Sequence, residues 1–301
     1  NGKITSFKYD NDGNKISETD ALGRTTNYEY DSRSNLITVV DPSGYKTNMT
    51  YDKQDNVTTI KNAQGKKTIN TYDSHHRLLS TTDNMGKKTT FTYNGNGLLS
   101  YVISPNKGKT TYIYTKGWLS KITEATGVVT SFGYDEIGRV ISQQKGSQKP
   151  IKIVYDQNDQ VIKVIDPLGN SLSYTYDSLG NKVSTRDAKG NVTKYQYNAN
   201  SKLSAQIDAN GKKTQFAYDG EDRLVKTIDS NGNTTTFTYD AKGQLIKTSD
   251  PLGNVTTNQY DAVGNIIGTL DANGKKVETI KYDLRNNPVS VMNALGYKTT
   301  Y

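Results

Sequence analysis

The sequence contains no cysteine, which excludes disulfides and thiolate metal sites. That absence suits a secreted bacterial protein and a cytosolic one alike. Its two histidines are adjacent, His75-His76. Both fall at turn positions, and neighbouring residues on an extended strand point to opposite faces, so a joint metal site is poor geometry. Neither a Cys–His pair nor a Ser–His–Asp triad finds support. Glutamate is sparse, at Glu18, Glu29, Glu124, Glu136, Glu221 and Glu278. No two carboxylates stand out as a glycosidase pair. No apolar run approaches the roughly 18 residues that cross a bilayer as a helix. Hydrophobic residues make up only 33% of the chain. A chain that poor in apolar residues is disordered when it also lacks aromatic and β-branched types. This one holds 22 tyrosines and is rich in Thr, Val and Ile, which suit a half-buried sheet. The expectation is an ordered all-β chain with a thin core.

What the chain does have is a period. Tyrosine recurs at Tyr9, Tyr30, Tyr51, Tyr72, Tyr93, Tyr114, Tyr134, Tyr155, Tyr176, Tyr197, Tyr218, Tyr239, Tyr260 and Tyr282. One interval is 20 residues, one is 22, and the other eleven are 21. Aspartate follows directly in eleven cases, among them Asp31, Asp52, Asp73, Asp156, Asp177, Asp219, Asp240 and Asp261. A fixed period of this size marks an array in which each unit packs on its neighbours. Residues 1–301 therefore read as a single continuous array of about 14 repeats, overriding the two-domain prior that length alone suggests. Tyr301 matches Tyr28 in phase, so the chain is expected to be a window of a longer polypeptide.

Each repeat carries two Asp-x-x-Gly signals. Aspartate caps a type I turn, and glycine supplies the left-handed residue that follows it in a common hairpin connection. The glycine fourteen residues after the tyrosine keeps phase at Gly23, Gly44, Gly65, Gly86, Gly169, Gly190, Gly211, Gly232, Gly253 and Gly274. The glycine four residues after the tyrosine is replaced by Ser34, Asp55, His76, Asp159, Ser201 and Asp222. The first turn is thus expected to require glycine and the second to tolerate other residues. Asp and His visit positive φ readily, and Ser fits less well.

The segment before each tyrosine alternates. Thr26, Tyr28 and Tyr30 share one face, and Asn27 and Glu29 share the other. The segment after it brings aliphatic residues such as Leu36, Val57 and Leu78. Stacking in successive repeats is expected to make a ladder of aromatic rings. The array then becomes an antiparallel ribbon of about 28 strands of about 8 residues each, some 130 Å long at roughly 4.8 Å per strand. So many strands twist, and the ribbon is expected to coil. Residues 94–150 depart from the pattern. Tyr93 and Tyr114 lack the aspartate, Ser104-Pro105-Asn106-Lys107-Gly108 is shifted by one, and the single tryptophan, Trp118, falls here.

The net charge of +8 owes much to Gly-Lys-Lys turns, such as Gly65-Lys66-Lys67 and Gly211-Lys212-Lys213. Solvated hairpin ends account for them; an anionic cell-wall polymer or glycan is the alternative partner. Tyr interleaved with Lys can stack on single-stranded bases, but strand-to-strand packing explains the tyrosines better, so no nucleic-acid partner is expected. Asp10-Asn11-Asp12-Gly13-Asn14 has its glycine at the wrong position for a calcium loop and lacks the closing glutamate. No catalytic residue, cofactor or metal is expected.

The signature is identified by residues such as Tyr176-Asp177-Ser178-Leu179-Gly180-Asn181 with Asp187, Gly190 and Thr193. It resembles the RHS/YD repeat over the whole chain. Tyr260-Asp261-Ala262-Val263-Gly264-Asn265 is similar, with Val277 where Thr is expected. That family includes bacterial Rhs proteins, wall-associated proteins of Gram-positive bacteria, cocoon-forming subunits of Tc toxins, and teneurins. The resemblance implies a β-hairpin ribbon wound into a spiral, part of a hollow shell that in toxin members encloses a C-terminal toxin domain. It also implies a secreted or cell-surface location; the Lys/Asn/Thr-rich character is similar to Gram-positive members. Some members self-cleave at a core segment with catalytic aspartates, and no such segment is recognised here. The expected function is a non-enzymatic shell segment that encapsulates and helps deliver an intramolecular toxin cargo. An adhesion or extracellular fibre module is the alternative.

Overall fold

The computed structural model describes residues 4–301. They form twenty-nine β-strands of three to seven residues and no helix. The chain divides into two compact units, Asn1–Lys109 with Thr257–Tyr301, and Thr110–Thr256. Within each unit every strand pairs antiparallel with the next along the chain.

The 21-residue period has a simple anatomy. Strand Ser171–Tyr176 has six residues, the Asp177–Asn181 turn five, strand Lys182–Arg186 five, and the Asp187–Asn191 turn five. The strands are shorter than the eight residues expected because each turn consumes five, where aspartate must reach its own i+4 backbone. The Asp177 N–H donates to the Asn181 carbonyl at 2.9 Å and the Gly180 N–H to the Asp177 carbonyl at 3.1 Å. This is a type I turn closed by a left-handed residue.

The register explains the two odd intervals. Between Tyr114 and Tyr134 the five-residue turn is replaced by two residues, Lys116 and Gly117, with φ of 53° and 86°. Thr115 pairs directly with Trp118. Two positive φ values in a two-residue loop match a tighter hairpin connection, and the interval shortens by one. Between Tyr260 and Tyr282 the ladder pairs Thr269 with Glu278 and Leu270 with Lys276, leaving Val277 as an inserted bulge residue. The interval lengthens by one, and the phase of both faces is kept.

Pairing assigns the faces. Tyr28 lies opposite Val39 and Tyr30 opposite Leu36, giving an aromatic and aliphatic face. Glu29 lies opposite Thr38, which lies opposite Asn48, giving a small and polar face. Nothing thick is buried between layers. Among the described residues Ala205, 2% exposed, is the buried hydrophobic residue, and no large side chain is fully enclosed. The accessible surface is 19237 Å², against about 12,600 Å² for a compact monomer of this mass. The thin core expected from composition is a single sheet layer, its side chains half-buried against their own neighbours.

Candidate functional site

The recurring Tyr–Asp–Gly positions form one lattice of contacts, and aspartate is its anchor. Asp177 Oδ1 accepts the backbone N–H groups of Leu179 and Asn181, both at 2.9 Å, and Oδ2 accepts the Asn181 side-chain amide at 3.0 Å. Asp31, Asp52 and Asp261 repeat the arrangement with Asn35, Asn56 and Asn265. Where arginine replaces the asparagine, as at Arg77 and Arg223, its Nε donates to Asp73 or Asp219 at 2.7 Å. Asp156 and Asp240 hold their turns through backbone groups of Gln160 and Gln244. These bonds favour the ionised carboxylate. The Arg77 guanidinium and nearby backbone N–H groups hold Asp73 at about 2. Side-chain amides from Asn56 and Asn181 lower Asp52 and Asp177. Where the chain has asparagine instead, at Asn94 and Asn198, Oδ1 still accepts from the i+2 and i+4 N–H groups. The lost aspartate costs charge but not turn geometry.

The turn glycines adopt the conformation the sequence demands. Gly23, Gly44, Gly65, Gly86, Gly169, Gly190, Gly211, Gly232, Gly253 and Gly274 all lie between φ 75° and 91°. The six substitutes also take positive φ, from 57° at Ser201 to 63° at Asp159. At the shifted turn Lys107, rather than Gly108, occupies the left-handed position with φ 64°.

The tyrosines do something the pattern did not disclose. Eleven of the fourteen reach back into the preceding repeat. The Tyr51 hydroxyl donates to the Leu36 carbonyl at 2.7 Å. Tyr30, Tyr72, Tyr93, Tyr134, Tyr155, Tyr176, Tyr197, Tyr218 and Tyr239 make the same bond to the residue fifteen positions earlier, at 2.7–3.1 Å. Tyr282 reaches sixteen positions back, to Ile266, because of the Val277 insertion. The cause is visible in the ladder. Pairing between hairpins ends at Thr38–Asn48, and beyond it the strands part, leaving room for the ring to enter and its hydroxyl to take the carbonyl. Burial there pushes the Tyr51, Tyr176 and Tyr197 phenols up.

The expected ladder of stacked aromatics does not form between successive tyrosines. Among the described residues the ring pair in contact is Trp118–Tyr134, with centroids 5.4 Å apart and planes at 35°. The space over the tyrosine belongs instead to the residue that closes the preceding turn. Arg77 lies 4.7 Å above Tyr93, Arg139 4.7 Å above Tyr155, and Arg223 5.0 Å above Tyr239. Trp118 takes that place over Tyr134, and its ring lies against Gly138, where an added Cβ would come within 2.8 Å. Cation–π contacts, rather than ring stacking, tie these repeats together. Trp118 and Tyr134 also border a cleft of about 670 Å³ with Phe132, Asp135 and Glu136.

Inside the first unit the ribbon also meets a distant part of itself. Arg24, bonded to Asp20 at 2.6 Å, donates to the Asp283 carbonyl at 3.4 Å and to Asn286 Oδ1 at 2.9 Å, across 259 and 262 residues of sequence. Arg285 lies 3.5 Å from Asp41 and 4.5 Å above the Tyr45 ring. His75 and His76 sit in a turn where His76 Nδ1 bonds Asn56 Oδ1 at 2.9 Å. Among the described residues no group of three His, Cys, Asp or Glu side chains is placed to hold a metal.

A half-buried β-lattice of this kind, made of turns, carbonyl-capping tyrosines and stacked cations, defines a structural repeat protein. The teneurin YD-shell profile matches residues 2–168, and the RHS repeat profile matches residues 155–192, 197–235, 218–255 and 239–276. The chain belongs to the RHS/YD-repeat family and consists of its shell-forming repeats. No curated protein matches the sequence. Among solved structures, the TcdB2-TccC3 crystal structure matches 96% of this chain at a TM-score of 0.73 and 16% identity. The TcdB2-TccC3-Cdc42 crystal structure matches 95% at the same TM-score and identity. A Photorhabdus luminescens Tc holotoxin pore structure matches 98% at a TM-score of 0.52 and 14% identity. The chain spans about a fifth of the toxin chains it matches, 20% in the first two. At these identities the likeness is one of fold.

Proposed function

We propose that this chain is wall: a non-enzymatic segment of a hollow shell that encloses a toxin domain of the same polypeptide and helps deliver it. The observation that carries the reading is the single-layer ribbon returning to bond with itself through Arg24 and Arg285. A wall one sheet thick, with almost nothing buried within it, gains its use from separating two spaces. The Tyr, Asp and Gly positions then act by fixing each hairpin on the last. A single continuous array, coiled as a spiral, fits this role, as does a secreted or cell-surface location in a Gram-positive bacterium. Cryo-electron microscopy of the longest natural parent chain tests it. A closed wall around internal density is the expected result, and a solid rod or an open ribbon without a lumen refutes it.

The second reading is an adhesion or fibre module, motivated by the exposed lysines of the Gly-Lys-Lys turns. Binding of the 301-residue chain to a cell-wall glycan or teichoic polymer, together with an open ribbon in the microscope, favours it.

A further inference from the structure

The two faces of the ribbon differ in polarity, and on one of them the cations are not stacked on rings. In the unit Thr110–Thr256, the middle row of the small polar face carries Lys121, Lys152, Lys163, Lys194, Lys226 and Lys247. Their cross-strand neighbours are small or neutral. Ser142 faces Lys152, Val154 faces Lys163, Ser184 faces Lys194, and Thr238 faces Lys247. No carboxylate stands in this row. The ion pairs of the described residues use other lysines, at Lys15, Lys46, Lys145 and Lys202. The opposite face of the same strands carries rings and aliphatic groups, such as Tyr174, Phe216 and Phe237.

The row includes a depression of about 420 Å³. Its lining includes Ala205, Ala217, Phe216, Gln196, Gln215, Lys213 and Lys226. Gln196, Ala205 and Gln215 are directly opposite one another on three neighbouring strands. The small alanines leave the space, the amides offer both donors and acceptors, and the lysines supply unpaired positive charge.

We propose that this face is a docking surface for an acidic polypeptide in extended form, with the depression lined by Gln196, Gln215, Lys213 and Lys226 as its central contact. On the shell reading, which supplies the source, that polypeptide is a segment of the enclosed cargo. Charge complementarity selects the class of partner. No ring stands in the row of paired positions Gln196, Ala205 and Gln215 on which bases could stack. The glutamine amides match peptide backbone groups, and the lysines match peptide carboxylates.

Fluorescence anisotropy of labelled poly-glutamate against the full 301-residue chain tests the proposal. Binding that weakens as salt rises is expected. Charge reversal at the depression, K213E/K226E, should weaken it by about tenfold. The same reversal at exposed turns, K87E/K275E, should leave it nearly unchanged. Equal losses in both double variants would show attraction to net charge only and overturn the proposal. So would labelled polyphosphate or oligothymidine binding while poly-glutamate does not. If K213E/K226E does not fold, the neutral K213Q/K226Q pair carries the same comparison. Failure of poly-glutamate to bind leaves the shell reading standing. An imaged ribbon without a lumen, with poly-glutamate binding intact, removes the shell reading alone.

Discussion

At the scale of the residue, tyrosine does the joining. A phenylalanine in its place would keep the ring between hairpins but leave the carbonyl of the preceding repeat without its donor. Tyr176→Phe, which removes the 2.8 Å bond to the Val161 carbonyl, should cost about 1 kcal/mol. Tyr176→Ala should cost more, since the space between the strands also empties. Hydrogen exchange at the two repeats concerned measures both, and equal protection in Tyr176→Phe and the parent would deny the bond its role. The left-handed position gives the opposite sign. Ser201 holds φ 57°, so Ser201→Gly should raise local stability by up to about 1 kcal/mol. The sequence identified this position as left-handed from its phase with glycine. It could not identify the hydroxyl bond, because the acceptor lies fifteen residues away in a repeat that looks the same.

At the scale of the element, most turns are held by an aspartate carboxylate, as at Asp73 and Asp177. Asp73 stands at about 2 against an ordinary 3.8. Asp52, Asp177 and Asp283 are also lowered, first by amide donors from Asn56, Asn181 and Asn287. The folded chain therefore binds fewer protons than the unfolded chain in that window. The stability these carboxylates lend is present above their ordinary range and is lost as pH falls below it, for Asp73 as pH falls through about 2. Circular dichroism during acid titration should show strand structure lost progressively below about pH 4, and an unchanged spectrum down to pH 2 would contradict this. The bulge makes a second prediction. Val277 is the inserted residue, so its deletion should restore a 21-residue interval and preserve the fold. Deleting a strand-centre residue such as Thr185 should instead throw the following side chains onto the wrong face. Comparison of the two by thermal melting separates these outcomes.

At the scale of the whole molecule, stability is a sum of neighbour terms with no common core to unify them. Among the described residues Ala205 alone of the hydrophobic residues is buried, so unfolding should proceed in several steps rather than one. Contacts between distant repeats are then worth more to the array than their number suggests. The Arg24 side chain is only 9% exposed and serves Asp20, the Asp283 carbonyl and Asn286 together. Arg24→Ala should cost about 1–3 kcal/mol. It should raise hydrogen exchange at both the Asp20–Arg24 and Asp283–Asn287 turns. A rise confined to residues 20–24 would show that the long-range contact carries no energy.

The sequence by itself determined the local rules: where the chain turns, which residue is left-handed, which residues share a face, and that the core is thin. Those follow from dihedral preference and a strict period of two along each strand, both written within a few residues. Only the tertiary structure decided what each repeat does to the next. Pairing ends at Thr38–Asn48 and lets Tyr51 cap Leu36, and Arg77 and Trp118 take the space in which rings were expected to stack. It alone put Arg24 beside Asn286 and lined six lysines along one face. Those contacts join parts of the chain whose sequences are nearly interchangeable, so no local signal could say which would meet.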